Sequence, residues 1–146
     1  MLAFVVMLIP LLTANVTDAE ESTTTMYLRA AQHEQDREYD KAMALYKRIL
    51  VKEDSPTVLM KMYELELKRN NSSEAEKILK DAYKKYPQHA ITAFNYGVML
   101  SEQAERSGRG SPEYKTLYTQ AVEAFQSAAN AEPTEQSYVA LAIAAT

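Results

Sequence analysis

Three stretches of the chain carry one apolar spacing, and that repetition limits the available folds more than any other feature. Arg37 to Leu50 holds Ala42, Tyr46 and Ile49; Ser72 to Tyr86 holds Ala75, Leu79 and Ala82; Tyr118 to Ala131 holds Ala121, Phe125 and Ala128. In each, a small Ala is followed four residues later by a large apolar side chain and then by another apolar or small one. Spacing of the i, i+3, i+4, i+7 kind puts one apolar stripe on a helix. With 3 Gly and no alternating apolar run, nothing reads as a period-two strand, so the expected class is all-α.

The length of 146 residues suits one domain with one modest core, and 47% hydrophobic with 25% charged residues is a globular balance, not a disordered one. The net charge of -4 argues against a nucleic-acid partner, which needs a clustered basic face. Residues 55 to 87 are mildly basic, but their signs are interspersed along the helices and read as a solvated face. The absence of Cys removes disulfides and thiolate metal sites.

Residues 1 to 17 carry no charged side chain, and Leu2 to Leu12 is apolar apart from Pro10. Such a run is short for a bilayer of about 30 Å but suits the core of a secretory signal, with small residues following at Ala14 and Ala19. Segment 1-19 is therefore expected to be a signal peptide or N-terminal anchor, and 20-25 a Ser/Thr-rich linker. The expected location is secreted or periplasmic, or membrane-anchored if the segment stays on, and only residues 1-17 would touch a membrane.

Helix pairs follow. Helices are expected from about Thr25 to Asp36 and Tyr39 to Lys52. A third opens at Ser55-Pro56, an N-cap followed by Pro at the first helical position, and ends near Arg69. Asn70 to Ser73 makes the next turn, with Ser73 and Glu76 spaced for a capping box. The fourth helix stops at Pro87, a fifth opens near Ala90, and its partner ends before Pro133. Ala42 to Ala75 is a step of 33 residues and Ala75 to Ala121 one of 46. The excess falls around Ser107-Gly108-Arg109-Gly110-Ser111-Pro112, where extra residues near 101-113 are expected to lengthen two helices into an overhanging hairpin.

Together with Tyr96-Gly97-x2-Leu100, Pro87 and Pro133, the A-x3-[YLF] stripes resemble the tetratricopeptide repeat, whose signature runs W-x2-L-G-x2-Y, A-x3-F and P at a period of 34. The resemblance covers about residues 23-133. It implies a right-handed superhelical stack of three helix-turn-helix repeats (about 26-54, 55-87 and 88-133), followed by 134-146 as a C-terminal capping helix or truncated fourth repeat. Asp54 replaces the family proline in the first copy. At the family's small position of the first helix stand Ala30, Tyr63 and Gly97, and Tyr63 would require an open helix contact. In the family the first helix of each pair lines a concave groove, which here implies Tyr27, Ala31, Met60, Glu64, Ile91, Phe94, Asn95 and Val98 as groove residues. Met and aromatic side chains there would suit an amphipathic or extended protein segment. Repeat proteins that hold the acidic tails of heat-shock chaperones use a Lys, Asn, Asn, Lys and Arg clamp; the matching positions are Tyr27, Ala31, Lys61, Ile91 and Asn95, so that partner is not expected.

No reaction chemistry assembles from the sequence. His33 and His89 stand far apart without a nucleophile elbow. His33, Glu34 and Asp36 are adjacent and lack the i, i+4 spacing of a helical metal site. Gly108-Arg109-Gly110 has neither the Lys nor the preceding strand of a phosphate loop. The expected function is a non-catalytic, exported protein-protein interaction scaffold with no cofactor or metal, taking a peptide or protein segment in the groove. Two other readings stand beside it: the N-terminal structural piece of a longer repeat solenoid, and an accessory subunit or fragment of an enzyme complex. After Pro133, Tyr138-x2-Leu141-Ala142-x2-Ala145 is expected to form a stripe packing on the third pair. Val139, Ala140, Ile143 and Ala144 would then face away as a C-terminal interface for further repeats or self-association.

Overall fold

The computed structural model describes residues 21–144; the expected signal or anchor segment lies outside them. Those residues form seven helices and, among them, no strand: α1 (Thr23–Gln35), α2 (Tyr39–Lys52), α3 (Pro56–Lys68), α4 (Ser72–Lys85), α5 (Ala90–Ser107), α6 (Pro112–Ala131) and α7 (Glu135–Ala144). The class is all-α. Each of α1, α3 and α5 packs on its successor, α2 meets α3, α4 meets α5, and α7 lies on α6. Helices α5 and α6 are the long ones, with 18 and 20 residues against 13 or 14 in the four preceding helices.

Local signals set most boundaries. Ser22, Ser55 and Ser111 cap α1, α3 and α6 by accepting from the backbone N–H of Thr25 (3.1 Å), Val58 (3.3 Å) and Tyr114 (3.0 Å). Pro56 and Pro112 occupy first-turn positions where no N–H is needed. The expected Ser73–Glu76 capping box does not form. Helix α4 begins two residues early with Asn71 at its N-cap, and no side chain caps it. The reason is competition: Glu76 accepts instead from Gln103 of α5 (3.1 Å), and the Asn71 amide donates to Glu66 (2.9 Å).

Helices α1 and α3 end in the same hydrogen-bonded turn, displaced by 33 residues. In the first, Arg37 N–H donates to the Glu34 carbonyl (3.1 Å) and Glu38 N–H to that of His33 (2.8 Å). In the second, Asn70 N–H donates to Leu67 (3.0 Å) and Asn71 N–H to Glu66 (2.9 Å). These are the two bonds of a Schellman ending, and its left-handed residue is Arg37 (φ 59°) in one and Asn70 (φ 58°) in the other. A side-chain bond recurs at the same offset, between His33 and Glu38 (2.6 Å) and between Glu66 and Asn71 (2.9 Å). Helix α5 ends on Gly108 at φ 87°, which a residue with a side chain rarely adopts.

The core has two parts, and α3 belongs to both. Val58, Met62 and Leu65, at i, i+4 and i+7, pack with Met26, Tyr46 and Ile49 of the first pair. Met60 points the other way and packs with Leu79, Met99, Leu100 and Phe125. The seam between the first two pairs is also polar. Glu34, whose side chain is only 9% exposed, accepts from Lys68 Nζ of α3 (2.6 Å) and from the Tyr46 hydroxyl of α2 (2.6 Å). Burial alone would raise the Glu34 carboxyl, but the Lys68 and Tyr46 hydrogen bonds outweigh it and hold the group below its ordinary value. The same pairing, after burial, pushes the Tyr46 phenol far up.

A carboxylate whose pKa is lower folded than unfolded stabilises the fold above its unfolded pKa, and that contribution disappears as pH falls through the lowered folded value. Glu34→Gln is therefore expected to cost about 1 to 3 kcal/mol at pH 7, with the gap between variant and wild type closing as pH falls below about 4.5. Thermal melts of both proteins across that range check it; a gap independent of pH would reject the ionised pairing as its source.

Candidate functional site

A broad concavity lies at the C-terminal end, where α7 stops short of the long α5–α6 hairpin. Val98, Ser101, Glu102, Glu105 and Arg106 of α5 form one wall, Tyr118 and Phe125 of α6 the floor, and Ala140 and Ile143 of α7 the other wall. Its volume is about 710 Å³, within the range of pockets that bury whole ligands or anchor side chains. The α5 wall follows from helical spacing, since 98, 101, 102 and 105 stand at i, i+3, i+4 and i+7.

The floor exists because of one glycine. A Cβ on Gly97 would stand 2.7 Å from two atoms of the Phe125 ring, so the missing side chain is what lets α6 lay that ring against α5. Phe94 packs beside the same ring, centroids 5.7 Å apart and tilted by 59°. Toward the hairpin tip Tyr114 and Tyr118 stack at 5.1 Å, and the Tyr118 hydroxyl donates to the Ile143 carbonyl at 3.5 Å, a long bond across the groove end. The charges on the rim pair with one another: Arg106 with Glu102 (3.4 Å) and Arg109 with Glu105 (3.3 Å). The Tyr114 phenol is pushed up by lost hydration and then by the nearby Glu105 carboxylate. What the groove offers is apolar surface bordered by exposed ion pairs, each worth little and free to exchange partners.

The residues expected to share one groove are dispersed. Val98 lines the large groove. Ile91, 52% exposed, and half-buried Phe94 border a separate hollow of about 200 Å³ with Glu132 and Gln136. Tyr27 borders a third, about 300 Å³, beside α3. Half-buried Glu64 is held by Lys61 (2.7 Å), and Ala31 and Asn95 are half-buried. Met60 is a correction. It is 3% exposed and belongs to the core, because α3 is wedged between two helix pairs and buries apolar residues on both flanks. Tyr63 fits half-buried against the same cluster.

On α7, Val139 (49% exposed) and Ile143 (64%) do face outward. Ala140 does not, since it packs against the second core cluster together with Leu141. Tyr138, expected in the packing stripe, is 55% exposed, and the position that is buried in its place is Ser137. Ser137 fits there because its hydroxyl is spent locally, accepting from Thr134 N–H (3.0 Å) and donating to the Thr134 carbonyl (2.8 Å). The sequence reading missed Tyr118, Phe125 and the 101–106 wall as groove residues. The signal was the longer third helix pair, which adds turns to α5 in line with Val98.

Among the described residues no group of three or more His, Cys, Asp or Glu side chains is placed to hold a metal ion, and no helix is long and apolar enough to cross a membrane. No protein-family model matches the chain, and no curated protein sequence matches it.

Proposed function

We propose that the chain is a non-catalytic, exported scaffold of three tetratricopeptide-like helix pairs, which takes an amphipathic helical segment of a partner protein in the groove between α5, α6 and α7. The observation that carries the reading is that groove: about 710 Å³ walled by three helices, with an apolar floor and a rim whose charges are already paired. Amphipathic helices bind such grooves through apolar anchors at i, i+3, i+4 and i+7. The repeat reading is supported by the α1 and α3 endings, which share backbone bonds, left-handed residue and side-chain bond at an offset of 33 residues. Export rests on the uncharged run of residues 1–17.

The test is selection from a displayed library of amphipathic helical peptides, followed by titration of the best peptide. Val98→Asp puts a carboxylate into the apolar wall and is expected to weaken binding at least about ten-fold, which is about 1.4 kcal/mol. Ser101→Phe, which narrows the groove without adding charge, should do the same. Thermal melts separate loss of binding from loss of fold. Peptides that bind both folded variants as tightly as wild type would overturn the groove as the site.

A further inference from the structure

The turn between α3 and α4 carries two overlapping Asn-x-Ser triplets, Asn70-Asn71-Ser72 and Asn71-Ser72-Ser73. In an exported chain such a triplet marks an acceptor for N-linked oligosaccharide, and it belongs in a surface turn. All four residues are exposed. The triplets alone do not choose between the two asparagines, because each has a serine two positions on. Their side chains are engaged differently, and that difference does choose.

We infer that Asn70 is an N-glycosylation site and that Asn71 is not, an inference that rests on the export reading of residues 1–17. The Asn71 amide donates to Glu66 (2.9 Å), whose side chain is 6% exposed and whose other carboxylate oxygen pairs with Arg69 (2.9 Å). A saccharide on the Asn71 nitrogen would replace one amide hydrogen beside that buried carboxylate, and a buried charged group that loses a hydrogen bond is costly. Asn70 is held only by its backbone, whose N–H donates to the Leu67 carbonyl (3.0 Å). Its side-chain amide has no hydrogen-bond partner among the described residues. The left-handed backbone at this position (φ 58°) is one that Asn adopts more readily than most residues, and the Schellman bonds hold the turn without the Asn70 side chain. A saccharide on Asn70 therefore displaces no hydrogen bond of the fold.

The donor required is an oligosaccharide carried on a lipid diphosphate. The Asn70 amide nitrogen attacks the anomeric carbon of the first sugar, and a C–N bond forms as the bond from that carbon to the diphosphate oxygen breaks. The electron pair leaves with the lipid diphosphate, and the nitrogen gives up one proton to the transferase. Ser72, the first residue of α4, supplies the hydroxyl that the triplet requires.

The test is translation of the full chain with rough microsomes, read by an endoglycosidase-sensitive mobility shift and by protection from added protease. Asn15→Gln is present throughout, because Asn15-Val16-Thr17 is a third triplet. Ser72→Ala removes the Asn70 triplet and keeps that of Asn71, while Ser73→Ala does the reverse. One glycan is expected on the Asn15→Gln chain, retained on adding Ser73→Ala and lost on adding Ser72→Ala. A second set carries an established cleavable signal ahead of Met1, so that entry into the lumen does not depend on residues 1–17. Failure of protection confined to the first set overturns export through those residues, and the second set then decides the glycan. Protected chain without a glycan, or a glycan that survives Ser72→Ala, overturns the inference.

Discussion

Phe125→Ala is expected to cost about 3 to 5 kcal/mol of stability, the range for truncating a buried Phe, and to lower the melting temperature by roughly 10 °C for a domain of this size. The ring is 4% exposed, lies against the backbone of Gly97 and packs with Met99, Leu100 and Ala121. On one side the neighbour is a helix backbone at Gly97, which has no side chain to move into the space. The same contact makes a reciprocal demand. Gly97→Val puts branched carbons where the ring stands and should also destabilise, by about 1 to 3 kcal/mol. Combining it with Phe125→Leu should cost less than the sum of the two single changes, because neighbours in contact are not additive. Denaturant titration of the four proteins checks this; strict additivity would show that the 97–125 approach is not what limits the packing.

How far the sequence reveals this arrangement depends on what each residue answers to. Caps and helix starts answer to neighbours a few residues away, so Ser55-Pro56 and Ser111-Pro112 were legible and stand where expected. The stripes were legible for the same reason: Ala42, Tyr46, Ile49, Ala75, Leu79, Ala82, Ala121, Phe125 and Ala128 are all buried. Asn71 was not legible as a cap, because its amide is claimed by Glu66, a residue of the preceding helix. Tyr138 and Ser137 exchanged roles because a ten-residue helix with apolar residues all round has no strong periodic signal, and the local Thr134–Ser137 bonds decide which side turns inward. The groove was misplaced for a geometric reason. Positions equivalent along the sequence on α1, α3 and α5 are not equivalent in surroundings, since α3 has a helix pair on either side while α5 overhangs beyond α7.

Met60 and Ile91 put that last point to a measurement, because both were expected on one exposed face. Met60→Ala is expected to cost about 2 to 5 kcal/mol, as for other buried Met side chains. Its side chain is 3% exposed and lies among Leu79, Met99 and Phe125, with the Asn95 amide 4.0 Å from its sulfur. Ile91 is 52% exposed, and Ile91→Ala should fall within about 0.5 to 1 kcal/mol, near the level of surface changes. Phe94, half-buried and tilted against the Phe125 ring, should fall between them. The ordering is the test, since a groove running continuously along α1, α3 and α5 would leave all three truncations equally mild. Chemical denaturation of the three variants, with unchanged m-values to establish that the unfolded state is not responsible, distinguishes the two. A mild Met60→Ala would return that side chain to the surface and with it the continuous groove.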